Sequence, residues 1–384
     1  MPAPQKNTDS QLAITAYGLK AVTGDQDFAL FGAIATSLSA AAEDSGQEVP
    51  SPTGEGFDPA LTAPMPLFED FDPDARILLA LAEVIIKAAQ HLLEKHLEDK
   101  KHLILVVLPA EAFVRNQFID TKEWQEIIQN ELTEFNDLHF YFLKADGNVI
   151  KHVQGACAKL NENEIESIIF AGSDSLLDQL TINDLLDKNK LCSNTISDGV
   201  IPGEAAASVV IQKISPNSEQ PRAILKALSN SPEPNCGKAH TSKMTGLSKV
   251  IQTVTQMAGK IPDNIDCVIR NDTTDQQYAF EWHQTTQSIW PNKISEQERI
   301  AYQLGETTEP PTVKPRKMPE ELLTSSTLGD IGAASIPLSL VLGCARFNFD
   351  HPVVNNCLIF EANEFPFRGA ILLENPQANS QVKA

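Results

Sequence analysis

Six short, almost unbroken apolar runs constrain this chain more than any other feature. They are LILVVLP (103–109), SIIFAGS (167–173), AASVVIQK (206–213), DCVIRND (266–272), NNCLIFEA (355–362) and GAILLE (369–374). A strand with one wet face alternates apolar and polar residues, whereas a strand apolar at nearly every position is covered on both faces. The runs therefore predict an α/β protein whose sheet is sandwiched between helices. Helical spacing is legible at 26–42, at 146–160, in GAASIPLSLVLGCARF (332–347) and most clearly in DARILLALAEVIIKAAQHLLEKHL (74–97). In the last of these, Ile, Leu and Ala recur at three and four residues, and lysines and histidines gather at the C-terminal end, as the helix dipole favours.

The order strand, helix, strand, strand occurs twice, first through 103–213 and again through 266–374. This predicts an internal duplication: a first half over 1–215, a second over 216–376 and a frayed polar tail over 377–384. The stretch KISPNSEQPRAI (213–224), with Pro216 and Pro221, marks the boundary. Two further Pro-rich stretches, about 45–73 and 305–321, read as loops.

Charge narrows the function classes. Over 384 residues the formal net charge is -21, which disfavours phosphate backbones and anionic lipid surfaces, so neither nucleic acid nor membrane is an expected partner. The first residues, MPAPQKNTDSQL, lack a signal-peptide core, and no run of 18 apolar residues exists, so a cytoplasmic location is expected. The six cysteines (Cys157, Cys192, Cys236, Cys267, Cys344, Cys357) form no CxxC pair, which suits reduced thiols. Cys236 and His240 alone have close Cys/His spacing, with no second pair to complete a zinc site. P-loop, dinucleotide-binding and HExxH patterns are missing from the sequence, so no cofactor and no metal are expected.

One stretch is more specific. Ala171-Gly172-Ser173 is followed by Ser197-Asp198-Gly199 and by Pro202-Gly203-Glu204 leading into AAASVVIQK. The order and spacing resemble the β-ketoacyl synthases, members of the thiolase superfamily. SSTLGDIGAASIPLSLVLGCARF resembles that family's loop and Ala/Gly-rich helix, and NEFPFRGAILLEN, with Asn363, Phe365, Phe367 and Gly369, resembles its closing loop and strand. ITAYGLKAVTG resembles the opening strand. The resemblance spans nearly the whole chain. It implies a thiolase-like fold of two βαβαββ-type halves in five layers (αβαβα), and a homodimer.

It also implies where chemistry should reside. The family's nucleophilic cysteine opens a buried helix, where the dipole lowers its pKa, and two histidines stabilise the charge of condensation. Counting from Gly172 places the nucleophile at Ala145-Asp146-Gly147, which holds no cysteine. The first histidine falls on Arg270, within Arg270-Asn271-Asp272-Thr273-Thr274, when Glu281 is matched to the family's downstream glutamate. The second falls on Asp330, beside Gly329 and Gly332. A carboxylate about 4 Å from a developing oxyanion repels it by roughly 4 kcal/mol at an effective dielectric near 20, about a thousandfold in rate.

The expectation is a catalytically degenerate, ketosynthase-like binding or scaffold protein. Its vestigial pocket comprises Ala145, Asp146, Gly147, Arg270, Asn271, Asp272, Asp330 and Phe365, with Asp146, Arg270, Asp272 and Asp330 converging as an ion-paired cluster. A partner protein or an acyl-thioester ligand is the expected occupant. The alternative is an acyltransferase or 3-oxoacyl synthase with displaced groups, using Cys157 with His152 or His283.

Overall fold

The computed structural model describes residues 11–52, 54–66, 72–214, 220–233, 236, 244–271, 276–349 and 352–378. Ten strands form the main sheet. The first five are β1 (Gln11–Ala21), β2 (Lys101–Leu108), β3 (Asp137–Lys144), β4 (Ser167–Ser175) and β5 (Glu204–Ile214). The second five are β6 (Ala223–Pro232), β7 (Cys267–Arg270), β8 (Glu320–Leu323), β9 (Asn356–Glu361) and β10 (Phe367–Glu374). Their order in space is β8-β7-β9-β10-β6-β1-β5-β4-β2-β3. From either outer edge inward the third, second, fourth, fifth and first strand of a half follow one another. The parallel pairs β2–β3 and β2–β4 have counterparts in β7–β8 and β7–β9. Within the sheet the halves pair through β1 and β6, at Ala13 with Ile224 and Ile14 with Ala223 among the described residues.

Seven helices position the site: α1 (Pro73–Glu94), α2 (Thr121–Glu131), α3 (Val149–Asn161), α4 (Gln179–Asp187), α5 (Gly246–Met257), α6 (Gln276–Ile289) and α7 (Ser335–Phe347). Strand alternation assigns the layers. On β4, Ile168 and Phe170 face inward to Ile150 and Val153 of α3 and to Leu340 of α7, whereas Ile169 faces outward to Leu81 and Ile85 of α1. On β9, Ile359 faces inward and Leu358 outward to Val250 and Val254 of α5. The helices α3 and α7 thus lie between the two halves of the sheet, giving the five αβαβα layers of the thiolase-like fold. Every residue of α7 from Ile336 to Phe347 is buried, which explains why its sequence has no polar stripe.

Four strands escape the search for all-apolar runs, and only β1 among them was read by other means, from its resemblance to an opening strand. In β3, DLHFYFLK, Asp137, His139 and Tyr141 are exposed while Leu138, Phe140 and Phe142 between them are half-buried, the alternation of an edge strand. β8 has four residues, two of them acidic. β6 begins within the stretch read as boundary. The equivalence of β3 and β8 adds a strand to each half beyond those read from the sequence. Of the boundary, 215–219 lies outside the described residues, as does 379–384 of the tail.

Candidate functional site

In both halves the parallel strands end on the same side, and the central helices α3 and α7 begin there. A cavity of about 310 Å³ opens at this junction. Sites at strand carboxyl ends are the rule in α/β sheets, because loops diverge there and helix N-termini point in. The walls include Val107, Ala145, Val149, Asn271, Ile336 and Phe365, together with Arg115, Asp174, Asp330 and Glu361. No described cysteine or histidine lines it.

The cavity is organised by an ion pair. Asp174, next to last in β4, is fully buried and accepts from Arg115 Nε at 2.8 Å and Nη2 at 3.0 Å. Two backbone donors complete its coordination: Ser175 N at 2.9 Å and Ala333 N, just before α7, at 2.9 Å. Arg115 in turn lies 4.4 Å over the Phe113 ring, and Phe113 meets Phe365 edge-on at 6.3 Å. Gly332 makes the approach possible. It has φ +46°, and a Cβ there would fall 2.0 Å from Asp174 Oδ2.

Asp330 is held by backbone on both sides: its N–H donates to Ile201 O at 2.7 Å, and its carbonyl accepts from Gly203 N at 2.9 Å. Its Oδ1 accepts from Gly332 N at 2.9 Å. Burial pushes the carboxyl up to about 6, with Glu364 and Asp174 adding to the rise and the Gly332 N–H and Arg115 opposing it. Only roughly one Asp330 in ten is then protonated at pH 7, too few to serve as a standing hydrogen-bond donor.

Ala145 lines the cavity, and Asp146 and Gly147 follow it into the start of α3. Gly147 has φ +80°, with Phe365 Cβ only 3.1 Å from the Cβ it lacks, and its carbonyl accepts from Asn230 Nδ2 at 3.0 Å. Asp146 Oδ1 accepts from Asn148 N at 3.1 Å. Asn271 reaches the cavity, but Arg270 does not. Strand alternation turns Arg270 outward with Val268, where its guanidinium pairs with Glu321 at 2.8 Å and lies 5.3 Å over Trp282. The expected four-residue ion cluster is therefore not formed around Arg270. Asp272 lies outside the described residues, as do Thr273, Thr274 and His240. Glu281 forms a buried pair with Arg368 at 2.7 Å.

The alternative nucleophile fares poorly. Cys157 lies in the third turn of α3, 4% exposed in the core, and burial pushes its thiol up to about 12. At neutral pH roughly one thiol in 10⁵ is then ionised. His152, five residues earlier, projects about 140° away around the helix and meets the Tyr141 ring at 5.9 Å. His283 is exposed on α6.

Sequence reasoning missed Arg115, Asp174 and Glu361. The last left a signal: a glutamate closing the apolar run Leu358-Ile359-Phe360. Glu361 is buried, and burial pushes its carboxyl up to about 7, with Asp146 adding to the rise while Asn363 and Arg368 oppose it. Between its ordinary value of 4.5 and about 7 the folded chain therefore holds a proton that the unfolded chain has lost. Stability consequently falls as pH rises through that window. Glu361→Gln removes this loss, so denaturant unfolding should show the variant gaining on the wild type between pH 5 and pH 8, by up to about 3 kcal/mol. An equal difference at both pH values would contradict it.

Neither a protein-family model nor a curated protein matches the sequence. Solved structures do match in fold. The ishigamide ketosynthase/chain length factor superposes with TM-score 0.68 at 13% identity, covering 95% of this chain and 99% of that one. The ketosynthase from module 6 of the bacillaene synthase from Bacillus subtilis 168 gives 0.66 at 11%, covering 95% and 72%. A type II PKS acyl-carrier protein in complex with its ketosynthase bound to the hexaketide gives 0.67 at 11%, covering 95% and 99%. The likeness to β-ketoacyl synthases read from the glycine motifs thus holds at the level of architecture: this chain has the thiolase-like fold of the ketosynthases.

Proposed function

We propose that the chain is a catalytically degenerate ketosynthase-like protein that binds a ligand or partner at its cavity and performs no condensation. The observation that carries this reading is the cavity's chemistry. Carboxylates from Asp174 and Asp330 accept from the backbone N–H groups of Ala333 and Gly332, in the short turn that leads into α7. Such helix-terminal donors are what an oxyanion needs, and here the protein's own negative charges take them. A developing oxyanion would meet like charge as well as the absence of a thiolate. Homodimerisation is part of the proposal, supported by the outer edge of β3, which has no strand beside it among the described residues. An acidic carrier protein would need a local basic surface to dock on a chain of net charge -21.

The test is turnover of acyl and malonyl thioesters by the purified chain, with iodoacetamide labelling of Cys157 read by mass spectrometry in parallel. Condensation and hydrolysis are expected at background, with Cys157 unlabelled in the folded protein. Turnover well above background, abolished by alkylation of Cys157, would replace this reading with the acyltransferase one.

A further inference from the structure

Glu361 has an unmet need. It is 5% exposed, it lines the cavity, and its donors are few: Asn363 Nδ2 reaches Oε1 at 3.3 Å and the Ile150 N–H lies near enough to favour the ionised form, while Oε2, enclosed by protein, has no hydrogen-bond partner. A buried carboxylate oxygen lacking a donor is costly in a low-dielectric site. The neighbouring charges do not relieve it. Arg368 is committed to Glu281 through two contacts at 2.7 and 2.9 Å, Arg115 is committed to Asp174, and Asp146 repels. The cavity as a whole is short of positive charge: Asp174, Asp184, Asp330, Glu361 and Glu364 line it, against Arg115, Lys188 and Lys190. Of these cations Lys188 is held by Asp184 at 2.6 Å on the solvent side. The helix N-termini add about half a positive charge each, too little to reverse the balance.

The rest of the wall is apolar. Val107, Val149 and Ile336 come from strand and helix ends, and Phe113 and Phe365 add aromatic faces. A volume of about 310 Å³ is at the lower end for small-molecule sites. Resting on the reading of this chain as a binding protein, we propose that the cavity takes a primary amine with a compact apolar body, its ammonium pairing with the Glu361 carboxylate and its hydrocarbon lying against Phe113 and Phe365. An ammonium supplies both the missing donor and the missing charge. An acyl thioester supplies neither. Glu361 (near Asp146, Arg368 and Asn363) and Asp330 (near Glu364, Arg115 and Asp174) both titrate between pH 6 and 7, so the amine should bind more tightly as pH rises and these carboxyls ionise.

Isothermal titration calorimetry of the full chain with 2-phenylethylamine, 2-phenylethanol and 3-phenylpropionate tests this. At pH 8 the amine should bind at least tenfold more tightly than the alcohol and the carboxylate most weakly. Its affinity should drop several-fold by pH 6, while that of the alcohol stays level. Glu361→Gln should bring amine and alcohol within about threefold of each other. Should that variant fail to fold, the pH dependence of the wild type reads the same charge. Equal binding of amine and alcohol, tightest binding of the carboxylate, or no amine binding at millimolar concentration would overturn the proposal. Thioester turnover would contradict the non-condensing reading alone, and lost amine selectivity would contradict this one alone.

Discussion

The buried pair between Arg115 and Asp174 is the contact on which the cavity depends. Desolvating two charges costs several kcal/mol each, and the cost is offset only where every lone pair and N–H is met. Asp174 meets that condition with two guanidinium and two backbone donors. The pair ties three otherwise separate pieces of chain: the turn Val114–Phe118, the end of β4 and the start of α7. Since β4 belongs to the first half of the sheet and α7 precedes β9 in the second, one carboxylate joins the two halves at the site. Removing either partner would leave a buried charge alone, which generally costs 3–5 kcal/mol.

The same contact supports the proposed loss of condensation chemistry. The N-terminus of a buried helix is the natural place to stabilise negative charge. Here the start of α7 is already neutralised by Asp174 and Asp330, and Glu361 lies near the start of α3. On the reading proposed above, such a site favours positive charge on an incoming group. Two carboxyls raised towards neutrality are a stability cost that folding alone does not explain, and such raised groups cluster at functional sites.

How much of this was legible in the sequence follows from what burial does to residue patterns. The six apolar runs betray strands covered on both faces, and they identified the layered fold. The edge strands β3 and β8 are half wet, so they carry ordinary mixed sequences and went unread. Gly172, Gly203 and Gly329 hold positions where backbone approaches backbone, and motif spacing found them. Asp330 was found because glycines flank it. Arg270 was placed near the site by register, but a one-residue alternation on β7 sends its side chain to the opposite face. Arg115 comes from a short turn with no periodicity, so nothing local marks it as the partner of a residue 59 positions away. Glu361 was visible as a charge in an apolar strand, although its meaning depended on the cavity beside it.

The proposed reading rests on ionisable carboxyls, Glu361 and Asp330, lining a desolvated cavity that no described cysteine or histidine reaches. Carbon-13 NMR titration of the side-chain carboxyls tests it most directly, with Glu361→Gln and Asp330→Asn used to assign the two resonances. The account predicts midpoints near 7 for Glu361 and near 6 for Asp330. Midpoints for both near 4, the range of solvated carboxylates, would contradict it.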